Sequence, residues 1–89
     1  MKGTVYILQS KVNGRYYVGS TSNLTTRLYF HNSGQVKATK LSRPYEVVFS
    51  QEFFDTATAK KVETKIKSWK RRDYLERIIK DGFIKFAGL

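Results

Sequence analysis

Val5-Tyr6-Ile7-Leu8 and Tyr16-Tyr17-Val18-Gly19, with Asn13-Gly14 between them, are the residues on which the fold turns. Both runs are rich in β-branched and aromatic side chains, which suit a pleated strand. Asn and Gly both tolerate positive φ, so the dipeptide marks a hairpin. The expected strands cover residues 4–9 and 16–20. A tight turn at Asn13-Gly14 would set Tyr17 opposite Ser10 and Tyr6 opposite Thr21. Side chains alternate across a strand, so Tyr6, Leu8 and Ser10 would share a face with Tyr17, Gly19 and Thr21. Both tyrosines then point to one side, and Gly19 leaves room beside them. A single-residue bulge would reverse that parity.

Downstream of the hairpin, Ser22 or Asn23 can cap a helix over residues 24–32, and Gly34 supplies its stop. Residues 36–43 read as a basic loop. Pro44 imposes an extended approach to a third strand at 45–53. Asp55 or Thr56 caps a long helix to about residue 72, and Asp73 caps a short one to about residue 80, ended by Gly82. The order is β-β-α-β-α-α. In the long helix Ala59, Val62, Ile66 and Trp69 recur at spacings of three and four, which marks the buried face.

Charge is the first functional signal. Seventeen Lys and Arg stand against seven Asp and Glu, a net charge of +10. Such an excess points to a polyanionic partner, with nucleic acid ahead of a membrane surface. Lys40, Arg43, Lys67 and Lys70 are the expected phosphate contacts. There is no cysteine, which excludes disulfides and thiolate metal sites and fits a cytoplasmic protein. The apolar run at residues 5–8 is too short for a signal peptide, and no stretch approaches the ~20 apolar residues that span a bilayer.

Three further residues resist a purely structural explanation. Arg27 and His31 are four apart on the first helix, so they share a face next to Leu24 and Leu28. Arginine can grip a phosphate bidentately, and histidine can donate to it or shuttle a proton. Glu63 is the sole acid between Asp55 and Asp73 and reaches the edge of the buried face. The plain alternative for it is an exposed pair with Lys67. One carboxylate suffices for Mg²⁺ where substrate phosphate and waters complete the shell.

Taken together these residues resemble the GIY-YIG nucleases. Val5-Tyr6-Ile7 is similar to the first signature, and Tyr17-Val18-Gly19 to the second. Arg27, His31 and Asn32-Ser33-Gly34 resemble the family's first helix, and Arg43-Pro44-Tyr45 its approach to the third strand. Glu63 stands where the family carries its metal-binding glutamate. The nearest resemblance is to small free-standing bacterial members related to the N-terminal domain of the excision-repair nuclease UvrC.

That resemblance implies an α+β fold, a three-stranded antiparallel sheet flanked by helices, as a single nuclease domain over residues 1–89. It implies a metal-dependent endonuclease acting on nucleic acid, DNA ahead of RNA, in repair or processing, as a monomer or weak homodimer. Glu63 would hold Mg²⁺ or Mn²⁺. Arg27 would stabilise charge on the scissile phosphate. Tyr6 or Tyr17 would help to deprotonate the attacking water, and His31 would assist that tyrosine or bind phosphate. All five are expected on one concave, basic surface. Ser20 replaces a lysine that some relatives carry after the second signature, so a cation beside the base is expected to be missing. The rival is a non-catalytic nucleic-acid-binding module of the same fold. A ribosome-associated protein explained by charge alone would leave Arg27, His31 and Glu63 without a shared purpose.

Overall fold

The first apolar run becomes the middle of the sheet. In the computed structural model, which describes residues 2–84, β1 (Gly3–Ser10) lies between β2 (Tyr16–Thr21) and β3 (Tyr45–Phe53), antiparallel to both. Val5, Tyr6, Ile7 and Leu8 are each at most 1% exposed. A central strand covered on both faces needs an unbroken apolar run rather than an alternating one. The helices are α1 (Leu24–Asn32), α2 (Thr56–Trp69) and α3 (Arg72–Asp81).

Alternation along β1 splits the interior into two layers. Val5 and Ile7 face α2, in a cluster with Val18, Phe49, Ala59, Val62 and Ile66. Tyr6 and Leu8 face α1, with Tyr45 and the half-buried Tyr17, Leu24 and Leu28. Each fully buried aliphatic contributes ~1.5–3 kcal/mol. At its N-terminal end α2 lies so close to β1 that a Cβ on Gly3 would stand 2.7 Å from Ala59 Cβ and 2.8 Å from the Asp55 carbonyl.

The hairpin register differs from the expected one. Tyr6 pairs with Gly19 and Leu8 with Tyr17, because the loop spans residues 11–15 rather than Asn13-Gly14 alone. Ser10 Oγ accepts from the Val12 and Asn13 amides, and Asn13 Oδ1 from the Arg15 amide. These side-chain contacts hold a wider loop. The shift is two residues, so parity survives and both tyrosines keep the face inferred for them.

The first helix and the third strand keep their expected bounds and α1 and α2 their expected caps, whereas the boundaries after Trp69 moved for local reasons. Asn23 caps α1 through the Thr26 amide, and Asp55 caps α2 through Thr58. The long helix stops at Trp69, since Lys70 turns left-handed at φ 51°. The last helix begins at Arg72 without a side-chain cap, and Asp73 instead pairs with Arg71 at 2.8 Å. The basic loop contains a 3-10 turn, Lys40–Ser42, beside a fully buried Thr39.

Candidate active site

Tyr6 is 1% exposed, and its hydroxyl lies over Gly19. A Cβ there would stand 3.1 Å from Tyr6 Cε1 and would meet the hydroxyl itself. The glycine of the second signature is therefore the space in which the first tyrosine fits. Tyr6 Oη is 3.1 Å from His31 Nε2, and the ring nitrogen behind, Nδ1, is 2.8 Å from Thr39 Oγ1. Arg27 is exposed on α1, near enough for its charge to act on the same hydroxyl. Burial raises the Tyr6 pKa, Arg27 opposes that, and the neighbouring Tyr17 adds to it.

His31 is 0% exposed. Burial, reinforced by the Arg27 charge, lowers its pKa to about 4, so the ring is neutral at neutral pH. Of the two expected roles of His31, assisting a tyrosine or binding phosphate, the structure bears on the first through its contact with Tyr6, the ring itself being closed to solvent. The Tyr17 ring packs edge-on against His31 at 4.8 Å, and Tyr45 lies 6.3 Å away. Unlike Tyr6, Tyr17 is half-exposed and its hydroxyl makes no hydrogen bond among the described residues.

Glu63 arrives from the other side. It sits on α2, under the opposite face of the sheet, yet its side chain is 6% exposed and its carboxylate reaches the β2 edge. Ser20 Oγ donates to Oε1 at 2.6 Å, Lys60 Nζ lies 3.4 Å from Oε1, and Lys67 Nζ lies 2.7 Å from Oε2. Burial alone would push the carboxyl up. The hydrogen bonds from Lys67 and Ser20 and the two lysine charges outweigh it and hold Glu63 below the usual range. The i,i+4 pair with Lys67 is thus real, but the acid within it is buried rather than exposed.

The expected single surface is therefore a site folded around an edge strand. Tyr6, Tyr17, Arg27 and His31 lie on the α1 side, and Glu63 comes up from the α2 side. Lys67 joins the halves: its ammonium is also 5.4 Å from the Tyr17 ring centroid. This answers the Ser20 departure. The residue hydrogen-bonds Glu63, and the cation beside Tyr17 is supplied by α2.

The basic residues divide in the same way. Lys67 and Lys70 line a groove of about 400 Å³ at the β2 edge, with Arg15, Arg71, Arg72 and Tyr17. Lys40 and Arg43 lie elsewhere, on the segment around the 3-10 turn, where the Arg43 guanidinium donates to the Lys40 carbonyl at 2.8 Å. The sequence offered Lys67 as a partner of Glu63 but not Lys60 or Ser20, and Thr39 not at all. The i,i+4 spacing was the signal for Lys67 and the i,i+3 spacing one for Lys60, whereas Thr39 had none.

Residues 2–77 match the GIY-YIG catalytic domain. The chain is 39% identical over 83 residues to a UPF0213 protein of Staphylococcus saprophyticus, covering 91% of this chain and 98% of that one. It is 34% identical over 71 residues to a UPF0213 protein of Streptococcus pneumoniae, covering 79% and 71%. A solution NMR structure of a UPF0213 protein from Bacillus halodurans is similar with a TM-score of 0.57 and 30% identity, over 92% of this chain and 87% of that one. With its two tyrosine signatures, its β-β-α-β-α-α order and this match over most of its length, the chain belongs to the GIY-YIG catalytic-domain family, a family of nucleases.

Proposed function

We propose that this protein is a divalent-metal-dependent endonuclease that hydrolyses phosphodiester bonds in nucleic acid, with DNA ahead of RNA. The observation that carries the reading is the meeting of Glu63, Lys67 and Tyr17 at the β2 edge, next to the Tyr6, His31 and Arg27 cluster.

Glu63 fits a Mg²⁺ or Mn²⁺ ion by the chemistry of its donors. Its carboxylate offers two hard oxygen donors held ionised below the usual range, and a bound ion would take the place of the Lys60 and Lys67 contacts. No group of three or more His, Cys, Asp or Glu stands ready to hold a metal among the described residues. Water and substrate phosphate would complete the shell, as suits Mg²⁺. When bound, the ion supplies Lewis-acid stabilisation of phosphoryl charge.

The chain's own residues do the rest. Arg27, exposed beside Tyr6, donates to the non-bridging oxygens of the scissile phosphate. Tyr17, half-exposed, acts as its phenolate: it takes the proton of the attacking water and becomes the neutral phenol, while the new P–O bond forms, the P–O bond to the leaving strand breaks, and the leaving oxygen is protonated by solvent. Lys67 supplies positive charge where a phenolate would carry negative charge. Tyr6, buried and bonded to His31, holds the cluster rather than reacting. The groove cations track the flanking phosphates.

A non-catalytic binding module is the second reading, favoured by one observation: both Glu63 oxygens already have partners within the chain. Glu63→Gln separates the two. On a panel of labelled DNA and RNA with Mg²⁺ or Mn²⁺, the variant is expected to lose cleavage by at least about a hundredfold, since each ~1.4 kcal/mol is tenfold in rate. Nucleic-acid binding should persist or tighten, because a carboxylate repels phosphate. A folded Glu63→Gln protein that cuts as well as the wild type would falsify the metal assignment. Alongside it, Tyr17→Phe should lose more activity than Tyr6→Phe loses at equal folded fraction.

A further inference from the structure

Behind Tyr6 lies a line of polar side chains closed to solvent. His31 and Thr39 are 0% exposed and Tyr6 is 1% exposed. The line runs from Tyr6 Oη to His31 Nε2 at 3.1 Å, and from His31 Nδ1 to Thr39 Oγ1 at 2.8 Å. The Thr39 hydroxyl also donates to the Val36 carbonyl at 3.4 Å.

A neutral imidazole has one donor and one acceptor nitrogen, and the partner of each decides which is which. Two arrangements exist. In the first, Nδ1–H donates to Thr39, Thr39 donates to the Val36 carbonyl, and Nε2 accepts from Tyr6. Every buried proton then has an acceptor. In the second, Thr39 donates to Nδ1 and Nε2–H donates to Tyr6. The Tyr6 proton must then find another acceptor, and among the described residues the Tyr6 hydroxyl makes no hydrogen bond except that to His31: neither Tyr17 nor Glu63 bonds it, and Arg27 only donates. A buried unpaired hydroxyl proton costs roughly 1–3 kcal/mol, so the first arrangement wins.

The groups that face His31 agree with this. They are Arg27 on its own helix, Tyr6 from β1, Tyr17 from β2 and Tyr45 from β3. None is a carboxylate that would favour a doubly protonated ring.

We propose that Thr39 is a positioning residue that fixes the Nδ1–H tautomer of His31, so that Tyr6 donates inward and keeps its oxygen lone pairs for Arg27. The direction of a buried hydrogen-bond line thereby sets whether the Tyr6 oxygen turns a lone pair or a proton toward the Arg27 charge. With the opposite tautomer, Nε2–H and Arg27 would compete for the same oxygen. The proposal rests on the reading of Arg27 as the phosphate-holding residue.

His31 is the sole histidine, so ¹⁵N-histidine labelling gives a single pair of ring resonances. In the wild type, Nδ1 is expected to carry the proton and Nε2 to resonate as a bare acceptor. Thr39→Val removes the oxygen at nearly constant volume. It is expected to move the proton to Nε2 and to lower kcat/KM about tenfold or more, as loss of a supporting hydrogen bond does at other reactive sites. Thr39→Ser should restore both. A wild-type spectrum with the proton on Nε2 overturns the proposal, even if Thr39→Val fails to fold. So does a folded Thr39→Val protein that keeps both tautomer and activity. Arg27→Ala tests the underlying reading separately: full cleavage by that variant removes Arg27 from the reaction whatever the tautomer of His31.

Discussion

His31 and Glu63 show how much a side chain's surroundings change its role. Both could be surface residues from sequence alone, and both are buried. For His31 this has a measurable consequence. Its pKa is about 4 in the fold against an ordinary 6.5, so between those values the unfolded chain binds a proton that the folded chain does not. Stability therefore falls as pH falls through that window, with a slope of up to about 1.4 kcal/mol per pH unit. His31→Gln removes the effect. The melting-temperature gap between wild type and variant should narrow as pH drops from about 7 to about 4, the carboxylates being common to both. A gap constant with pH would mean that His31 is not held neutral in the fold.

At the scale of elements, the end of α2 sets local stability against charge. Lys70 occupies a left-handed C-cap, which costs a non-glycine residue roughly 1 kcal/mol. Its side chain lines the groove and has no ion-pair partner among the described residues. Lys70→Gly is expected to raise the melting temperature while weakening nucleic-acid binding, so the two measurements move in opposite directions. A variant that loses stability, or binds as before, would argue against this account of the turn. The hairpin teaches a related point. Its strands and parity were legible from alternation and from Asn13-Gly14, but its register was not. The loop is held by Ser10 and Asn13 side chains, whose geometry no dipeptide signal encodes.

Over the whole molecule, a net charge of +10 is gathered unevenly. Duplex binding should weaken with salt at a log–log slope of about −0.9 per phosphate contact. Replacing Arg15, Lys67 and Lys70 by alanine should flatten that slope by up to about 2.7. Replacing Lys40 and Arg43 should change it less, because they lie away from the groove and Arg43 is tied to the backbone. Equal effects from the two sets would show that charge acts without regard to position. No helix among the described residues is long and apolar enough to cross a membrane.

The sequence by itself determined the strand pair, the shared face of Tyr6 and Tyr17, the buried stripe of α2, the positive charge and the family signatures. These are periodicities and compositions, readable over a few residues because backbone geometry repeats every two or about 3.6 residues. Tertiary structure alone decided what meets what. β3 shifts register between Ile7 and Leu8, its partner passing from Phe49 to Val47, and this one-residue irregularity turns Tyr45 onto the face of Tyr6 and His31. Asn32 then clamps Tyr45 through both its backbone N–H and its carbonyl. Glu63 meets Ser20 across 43 positions of chain, and His31 meets Thr39 through a loop whose sequence announces nothing buried. Such contacts depend on how strands and helices pack over long separations, where no local pattern carries the information.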